Sequence, residues 1–394
     1  MAQSGRLLSL DVMRGITIAG MIMVNNPGSW GYVYAPLRHA SWNGLTPTDL
    51  VFPFFMFIMG VSMFFSLRKY DFKLSGESVT KVLKRTVLIF LVGFALNLFG
   101  HLCYNGFSNL ENLRILGVMQ RLALAYGIGS LIGLSVKHKY ILQTAAGILL
   151  FYWILLAATG SQTLSEDNII AIVDRALFGN THMYHDYLAD GTRIAFDPEG
   201  LLSCLGSIGH VLLGFYVGKM ILDCKKNNEL IIRNLFIFGT IILFLGFLLS
   251  YGCPINKKLW SSTFVLTTCG FGSLFLALLI WIIDINGKKK WSLFFESFGI
   301  NPLYLYVQGD VFAVVLDKCG VTPAHFSSTI RKASGHSPLV IITGMIIMNA
   351  KAQLKSTRLP VKEIAFSLGF SNLSFFNKYF RKHVGMTPQE YREK

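Results

Sequence analysis

Hydrophobic and polar positions fall in long blocks along this chain, without the short periods of a soluble fold. Apolar runs cover residues 12–24, 50–67, 82–100, 117–136, 141–158, 201–222, 231–250, 263–283 and 298–316. Most approach the roughly 20 residues a helix needs to cross a hydrocarbon layer about 30 Å thick. Backbone in hydrocarbon must satisfy its own hydrogen bonds, so runs of this length read as helices. The pattern predicts an all-α fold, a polytopic transmembrane helical bundle of about nine spans. The run at 12–24 is short and carries Asp11 and Arg14 at its start. It lacks a small-residue cleavage site, so it reads as a retained span and not as a removed signal peptide.

Beyond residue 320 the pattern changes. Residues 339–348 form only half a crossing, and two domains are expected, 1–320 and 321–394. Within 360–383, Val361, Ile364, Ala365 and Leu368 give one helical apolar face, and Gly369 supplies a turn. Phe375, Phe376 and Phe380 then pack a second helix, a helix-turn-helix layout. Along that second helix Asn372, Ser374, Asn377, Lys378, Arg381 and Lys382 stay polar, a mix suited to base edges and phosphates of DNA. The competing reading is a basic amphipathic hairpin lying on anionic lipid.

Composition sharpens this picture. The chain is 53% hydrophobic and 14% charged, outside the usage of globular domains. Its net charge of +15 is uneven: residues 321–394 hold 11 Lys and Arg against 3 Asp and Glu. Lys and Arg in short loops mark the cytoplasmic side. They recur at every second loop: Arg68, Lys69, Lys73, Lys81, Lys84 and Arg85; Lys137 and Lys139; Lys219, Lys225, Lys226 and Arg233; Lys288, Lys289 and Lys290. The segment 161–199 is richer in Asp and Glu. This places the N-terminus inside and the loop containing His39 outside. An odd number of spans then sends residues 321–394 outward, away from DNA. Contact with DNA requires a cytoplasmic C-terminus, hence one span fewer, such as a re-entrant 298–316 or a surface-lying 12–24. The expected location is the cell inner (cytoplasmic) membrane, multi-pass and in contact with lipid, and a homo-oligomer is left open. Six cysteines without CxxC spacing argue against a metal or thiol-redox site and read as small apolar fillers. A pairing of Cys103 with Cys253 on the outer face is the alternative.

Polar residues at membrane depth are costly and turn toward a cavity or a partner. Asp11 and Arg14 are three apart, on one helix face, either an anchoring ion pair or part of a site. Gln120 and Arg121 near a helix start carry the same ambiguity. Asp197 and Glu199 flank a proline turn that opens a span, where acidic residues also suit a helix N-terminus. In "APLRHASWNGLTPTDLVFPFFMFIMG", His39 stands at the lip of an apolar run. Its neutral imidazole can act as base or nucleophile near neutral pH. Asn25 and Asn26 precede it; Trp42, the Asn43-Gly44 turn and Asp49 follow. A surface histidine of no special role is the plainer reading.

Six stretches taken together change the weighting: "RLLSLDVMRGITIAGMIMVNN", "RHASWNGLTPTDLVFPFFMFIMG", "GVMQRLALAY", "FDPEGLL", "KKLWSSTFVLTTCG" and "FGINPLYLY". In this order, over about residues 4–318, the chain resembles the heparan-α-glucosaminide N-acetyltransferase family of transmembrane acyltransferases. The resemblance implies a helical bundle that moves acetyl from acetyl-CoA, the acyl donor, to an amino sugar. It implies that His39 of "HASWNGLT" is the catalytic histidine and Asn25 of "VN" a pocket residue. Imidazole can deprotonate the acceptor amine or carry the acetyl group, and an amide such as Asn25 can stabilise the oxyanion. Asp11, Arg14, Asp49, Gln120, Arg121, Asp197, Glu199 and Asn301 then form a substrate or structural polar network. Arg38 and Trp42 are candidates for contacts to the adenine and phosphates of CoA. One departure stands out: family members continue with at least one further span and a basic cytoplasmic tail, and here that final span is missing.

The tail has its own resemblance. "LPVKEIAFSLGFSNLSFFNKYFRKHVGMTPQEYR" is similar to the second helix-turn-helix of AraC-type transcription regulators. "VTPAHFSSTIRKASGHSP" resembles the later half of their first unit, and "LVIITGMIIMNAKAQLKST" their joining helix. The opening helices of the first unit are expected to be absent, leaving Phe326 and Ile330 short of buried partners in a poorly stable half-domain. The expectation is a fused protein, an acyltransferase-like membrane domain with a partial AraC-type domain. A membrane-tethered regulator and a chimeric reading frame with neither activity complete are the alternatives.

Overall fold

The structure, a computed structural model, describes residues 7–27, 30–188, 190–225, 227–370 and 372–394. Arg6 of the first motif and Lys226 of the charge pattern lie outside them. The bundle is built from α1 (Leu8–Asn25), α2 (Val51–Leu67), α3 (Gly76–Asn105), α4 (Val118–Ser135) and α5 (Ile141–Ala158). A short α6 (Ile169–Phe178) and a hairpin of β1 (His185–Tyr187) and β2 (Arg193–Ala195) follow at one end. Then come α7 (Cys204–Asp223), α8 (Asn228–Leu249) and α9 (Ser262–Leu279), the last prolonged by a π-helical turn, Ile280–Ile285. Eight helices among the described residues are long and apolar enough to cross a membrane.

Burial sorts these helices. In α7 72% of the most apolar window is buried and in α3 only 11%, so α7 is the central post and α3 a peripheral one. The faces that α3, α5 and α8 turn outward carry Leu88, Leu91, Phe151, Phe236 and Phe244, side chains that suit lipid. With lipid as apolar as these side chains, helix contacts depend on close backbone approach. α10 (Ser292–Ile300) shows it: a Cβ on Gly15 of α1 would fall 1.7 Å from the Phe295 carbonyl oxygen, and one on Gly299 would fall 1.9 Å from that of Asp11.

The ninth expected span, 298–316, is not one helix. α10 and α11 (Pro302–Lys318) meet at 88°. Asn301 sits between them at φ −122°, ψ 58°. Pro302 lacks an N–H and pushes the residue before it out of the helical region, so the break is written in "INP". The alternative Cys103–Cys253 pairing is not formed: all six cysteines are free and Cys253 is buried.

The tail comprises α12 (Pro323–Ser334), α13 (Pro338–Ser356), α14 (Val361–Ser367), α15 (Leu373–Val384) and α16 (Pro388–Glu393). Ile364, Ala365, Phe375, Phe376 and Phe380 form its core, joined by Ile347, Ala350 and Leu354 of α13. α14, Gly369 in the left-handed region and α15 make the expected helix-turn-helix. A parallel unit precedes it: the end of α11, Gly320 at φ 66°, and α12 capped by Thr322. Phe326 therefore has a partner after all, its ring 5.3 Å from Phe312 of α11. The last helix of the bundle stands where the first unit's opening helix was expected to be missing.

α12 and α13 meet at 62° and together also pass as a bent membrane-crossing pair, so the count runs from eight to ten. Tyr104, in the last turn of α3, donates a hydrogen bond to Asp317 near the end of α11 (2.5 Å). The tail core nevertheless packs on Leu293 and Ile300 of α10. α13 leaves Leu339, Val340, Ile342 and Met345 exposed. The range of eight to ten includes the expected nine, reached when the α10–α11 pair crosses and the α12–α13 pair does not; an even total would return the C-terminus to the side of the N-terminus.

Candidate functional site

Residues 35–50 fold as two short 3-10 turns around one buried carboxylate. Asp49 is fully buried and accepts hydrogen bonds from the amides of Ala40 (3.0 Å) and Thr46 (3.1 Å) and from Thr46 Oγ1 (2.9 Å). Its Oδ1 lies 2.6 Å from His39 Nδ1. A carboxylate that takes three other donors is the acceptor here, so the imidazole donates from Nδ1 and carries its lone pair on Nε2. The side chain of His39 is 47% exposed, so Nε2 is open to reactants.

The Asn43-Gly44 turn docks this loop onto the segment that precedes α9. Gly44, at φ 120°, donates its amide to the Ile255 carbonyl (2.8 Å), and Asn256 Nδ2 donates to Asn43 Oδ1 (3.1 Å). That pairing brings in Lys257, whose Nζ is 3.0 Å from His39 Nδ1, 3.4 Å from Nε2 and 3.4 Å from Asp49 Oδ1. Burial pushes the Lys257 pKa below the ordinary lysine range, with Asp49 opposing the shift. Sequence reading passed over Lys257. The available signal was a pair of lysines, Lys257 and Lys258, in an outward loop where the charge rule expects few.

A second network sits beside the first. Arg114 donates to Asp197 (2.9 and 2.5 Å) and to Glu199 (2.7 Å), and the Tyr184 amide also reaches Asp197 (3.0 Å). Burial would raise the Asp197 pKa, but the Arg114 guanidinium outweighs it and holds the carboxyl below its usual range. Arg121 donates to the Pro198 carbonyl and to Ser203 Oγ, and its guanidinium lies 5.0 Å from the Trp260 ring. Trp260 is fully buried and packs edge-on against Phe52 at 5.2 Å, forming a floor under the lip. Nearby, burial raises Asp174 to about 7, and its Oδ1 accepts from the Leu201 amide (2.9 Å).

Other expected residues are placed elsewhere. Asp11 and Arg14 pair at 3.1 Å inside the bundle, where Arg14 also binds the Gly299 carbonyl (3.1 Å) and Ser62 Oγ (2.7 Å). Gln120 donates to the Ile115 carbonyl (2.9 Å), a local structural bond. Asn301 does not join the network; at the helix break it donates to the Gly369 carbonyl of the tail (2.7 Å). Asn25 is exposed at the end of α1, with no side-chain hydrogen bond to another described residue. Trp42 packs edge-on against Phe196 at 5.7 Å and donates to the Gln162 carbonyl (3.0 Å), and Arg38 Nε binds the Val33 carbonyl (2.8 Å). In the tail Asn372 is occupied as the N-cap of α15, accepting from the Phe375 amide (2.6 Å). Ser374, Lys378, Arg381 and Lys382 are exposed and Asn377 is half-buried; Lys378 lies 3.9 Å from Glu296 of α10.

Below the lip runs a cavity of about 380 Å³ between α1, α2, α3, α4 and the α10–α11 break. Its wall is largely apolar, with Arg14 and Arg85 toward one end and Met21 and Phe52 toward the other. His39 does not line it, but Phe52 lies one turn beyond Asp49 on the same continuous helical segment.

Comparison with known proteins identifies the scaffold. Residues 6–251 match the family described as heparan-alpha-glucosaminide N-acetyltransferase, catalytic. The chain belongs to this family. It is 30% identical over 366 residues to the human heparan-alpha-glucosaminide N-acetyltransferase, covering 78% of this chain and 53% of that protein. The mouse enzyme is 28% identical over 364 residues, covering 79% and 54%. The chain thus spans about half the length of these curated relatives. Residues 315–394 match a helix-turn-helix domain, starting inside α11. The tail is similar to the Escherichia coli arabinose operon regulatory protein, 30% identical over 83 residues, 21% of this chain and 28% of that one. The chain is a multi-pass membrane protein that joins an acyltransferase-family domain to an AraC-type DNA-binding segment.

Proposed function

We propose that the bundle, about residues 1–320, transfers acetyl from acetyl-CoA to the amine of an amino sugar at the His39 lip. The observation that carries this reading is the 2.6 Å contact between His39 and fully buried Asp49. It favours the tautomer whose Nε2 lone pair can take the proton of an attacking amine. The apolar cavity with cationic Arg14 and Arg85 fits a donor with an apolar arm and an anionic end, and the polar lip fits a sugar. Asp49 holds the imidazole; Arg114 and Arg121 fix the neighbouring loop through Asp197, Glu199 and Ser203. Purified protein supplied with acetyl-CoA and glucosamine should release CoA thiol, and His39→Ala should slow the release about 100- to 10,000-fold. Unchanged turnover in that variant removes His39 from the mechanism and this reading with it.

For the tail, about residues 321–394, we propose DNA binding through α15 on the N-terminal side of an inner membrane. A total of eight or ten spans within the eight-to-ten range puts the tail there, and a total of nine puts it on the other side. A reporter fused after Lys394 should report a cytoplasmic C-terminus; an external signal rules out DNA binding by the intact chain.

A further inference from the structure

Resting on the acyl-transfer reading, we propose that Lys257 is a catalytic residue whose ammonium holds the oxyanion formed on the donor's carbonyl beside His39 Nε2. The plainer role, a lysine pairing with Asp49, fits the geometry poorly. Asp49 already accepts from Ala40, from both donors of Thr46 and from His39. Lys257 stands 3.4 Å from it, longer than the 2.7–2.9 Å of a charge-assisted hydrogen bond. Its closest polar neighbour is the imidazole itself, at 3.0 Å. A half-buried ammonium with three donors, only loosely paired and 3.4 Å from Nε2, occupies the position of an oxyanion donor. Arg38 Nε is engaged by the Val33 carbonyl, and Asn25 is exposed at the end of α1.

In the step, the amine nitrogen attacks the thioester carbon and a C–N bond forms. The C=O π pair moves onto oxygen, next to the Lys257 ammonium, while His39 Nε2 takes the amine proton. The tetrahedral adduct then re-forms C=O, the C–S bond breaks, and the sulfur leaves with its electron pair. The proton passes from Nε2 to sulfur, giving thiol and amide without any outside reagent.

Lys257 faces His39, Asp49, Glu199 and Arg121. Burial keeps its pKa below the ordinary lysine range, so the charge required here is lost as pH rises through that lowered value. The test uses the full chain in detergent, with acetyl-CoA and glucosamine as probes and thiol release as readout. Lys257→Met should lower kcat roughly 100- to 1,000-fold while KM for acetyl-CoA stays within about threefold. Lys257→Arg, always charged, should keep part of the rate and move the alkaline limb of kcat upward. Wild-type turnover in Lys257→Met, or an alkaline limb that Lys257→Arg leaves in place, overturns the inference. If Lys257→Met loses its monodisperse gel-filtration peak, the Lys257→Arg profile decides alone. Should wild-type protein release no thiol, the acyl-transfer reading fails as well, whereas an active wild type with indifferent Lys257 variants sinks this inference only.

Discussion

The lip around His39 and the polar face of α15 both present basic groups over an aromatic floor, yet they are built in opposite ways. At the lip His39 meets Lys257 across 218 positions of sequence, through a buried carboxylate and a docked Asn43-Gly44 turn. On α15 the exposed Ser374, Lys378, Arg381 and Lys382 come from one helix, carried by Phe375, Phe376 and Phe380 behind them. The first surface is an assembled site, sensitive to any single partner. The second is an interface of repeated small contributions. If that contrast is right, single substitutions should act steeply at the lip and in small steps on α15.

The largest expected effect is on chemistry. His39→Ala should cost about 100- to 10,000-fold in acetyl transfer, measured as thiol release, without changing DNA affinity. Next is Phe376→Ala in the fully buried tail core, expected to cost about 3–5 kcal/mol. That is comparable to the whole stability of a small domain, so limited proteolysis should degrade residues 357–394 first and leave the bundle intact. Loss of the bundle at the same protease dose would show that the two regions are one cooperative unit.

Asp174→Asn should flatten a pH dependence. Burial raises this carboxyl from 3.8 to about 7 in the folded state. A raised carboxyl favours folding while protonated, so its contribution is complete below about pH 4 and is lost as pH rises through about 7. The span is on the order of 4 kcal/mol at most. The opening free energy of α6, from hydrogen exchange corrected for the intrinsic rate at each pH, should fall between about pH 4 and 7 in the wild type and stay level in the variant; equal slopes would discard the assignment. The smallest step is Arg381→Ala, which should weaken DNA binding evenly across sequences and lower the salt slope by about 1. A sequence-selective loss would instead place Arg381 on a base edge.

Much of this architecture was legible because its causes are local. Eight of nine apolar runs became single helices, since length and hydropathy alone decide whether a segment can cross hydrocarbon. The ninth failed on Asn301-Pro302, whose breaking power is itself local and was outweighed by the run around it. His39 and Asp49 were both singled out, being ten residues apart on one loop. Lys257 was not, because nothing in its own neighbourhood tells that a turn 213 positions away will hold its loop against the histidine. Asn301 and Asn372 bond backbone groups for a related reason: a polar side chain at a helix boundary is as well spent on a neighbouring backbone group as on a ligand.

By itself, then, the sequence determined that the chain enters a membrane, where its helices begin and break, and that α15 has one charged and one phenylalanine face. Those properties follow from hydrocarbon transfer and helical period, which act over a few turns. The tertiary structure decided which polar groups meet: His39 with Asp49 and Lys257, Arg114 with Asp197, and the end of α11 with α12. Such meetings depend on how glycine-sized contacts and docked turns set one helix against another, and packing of that kind is settled only when the whole bundle closes.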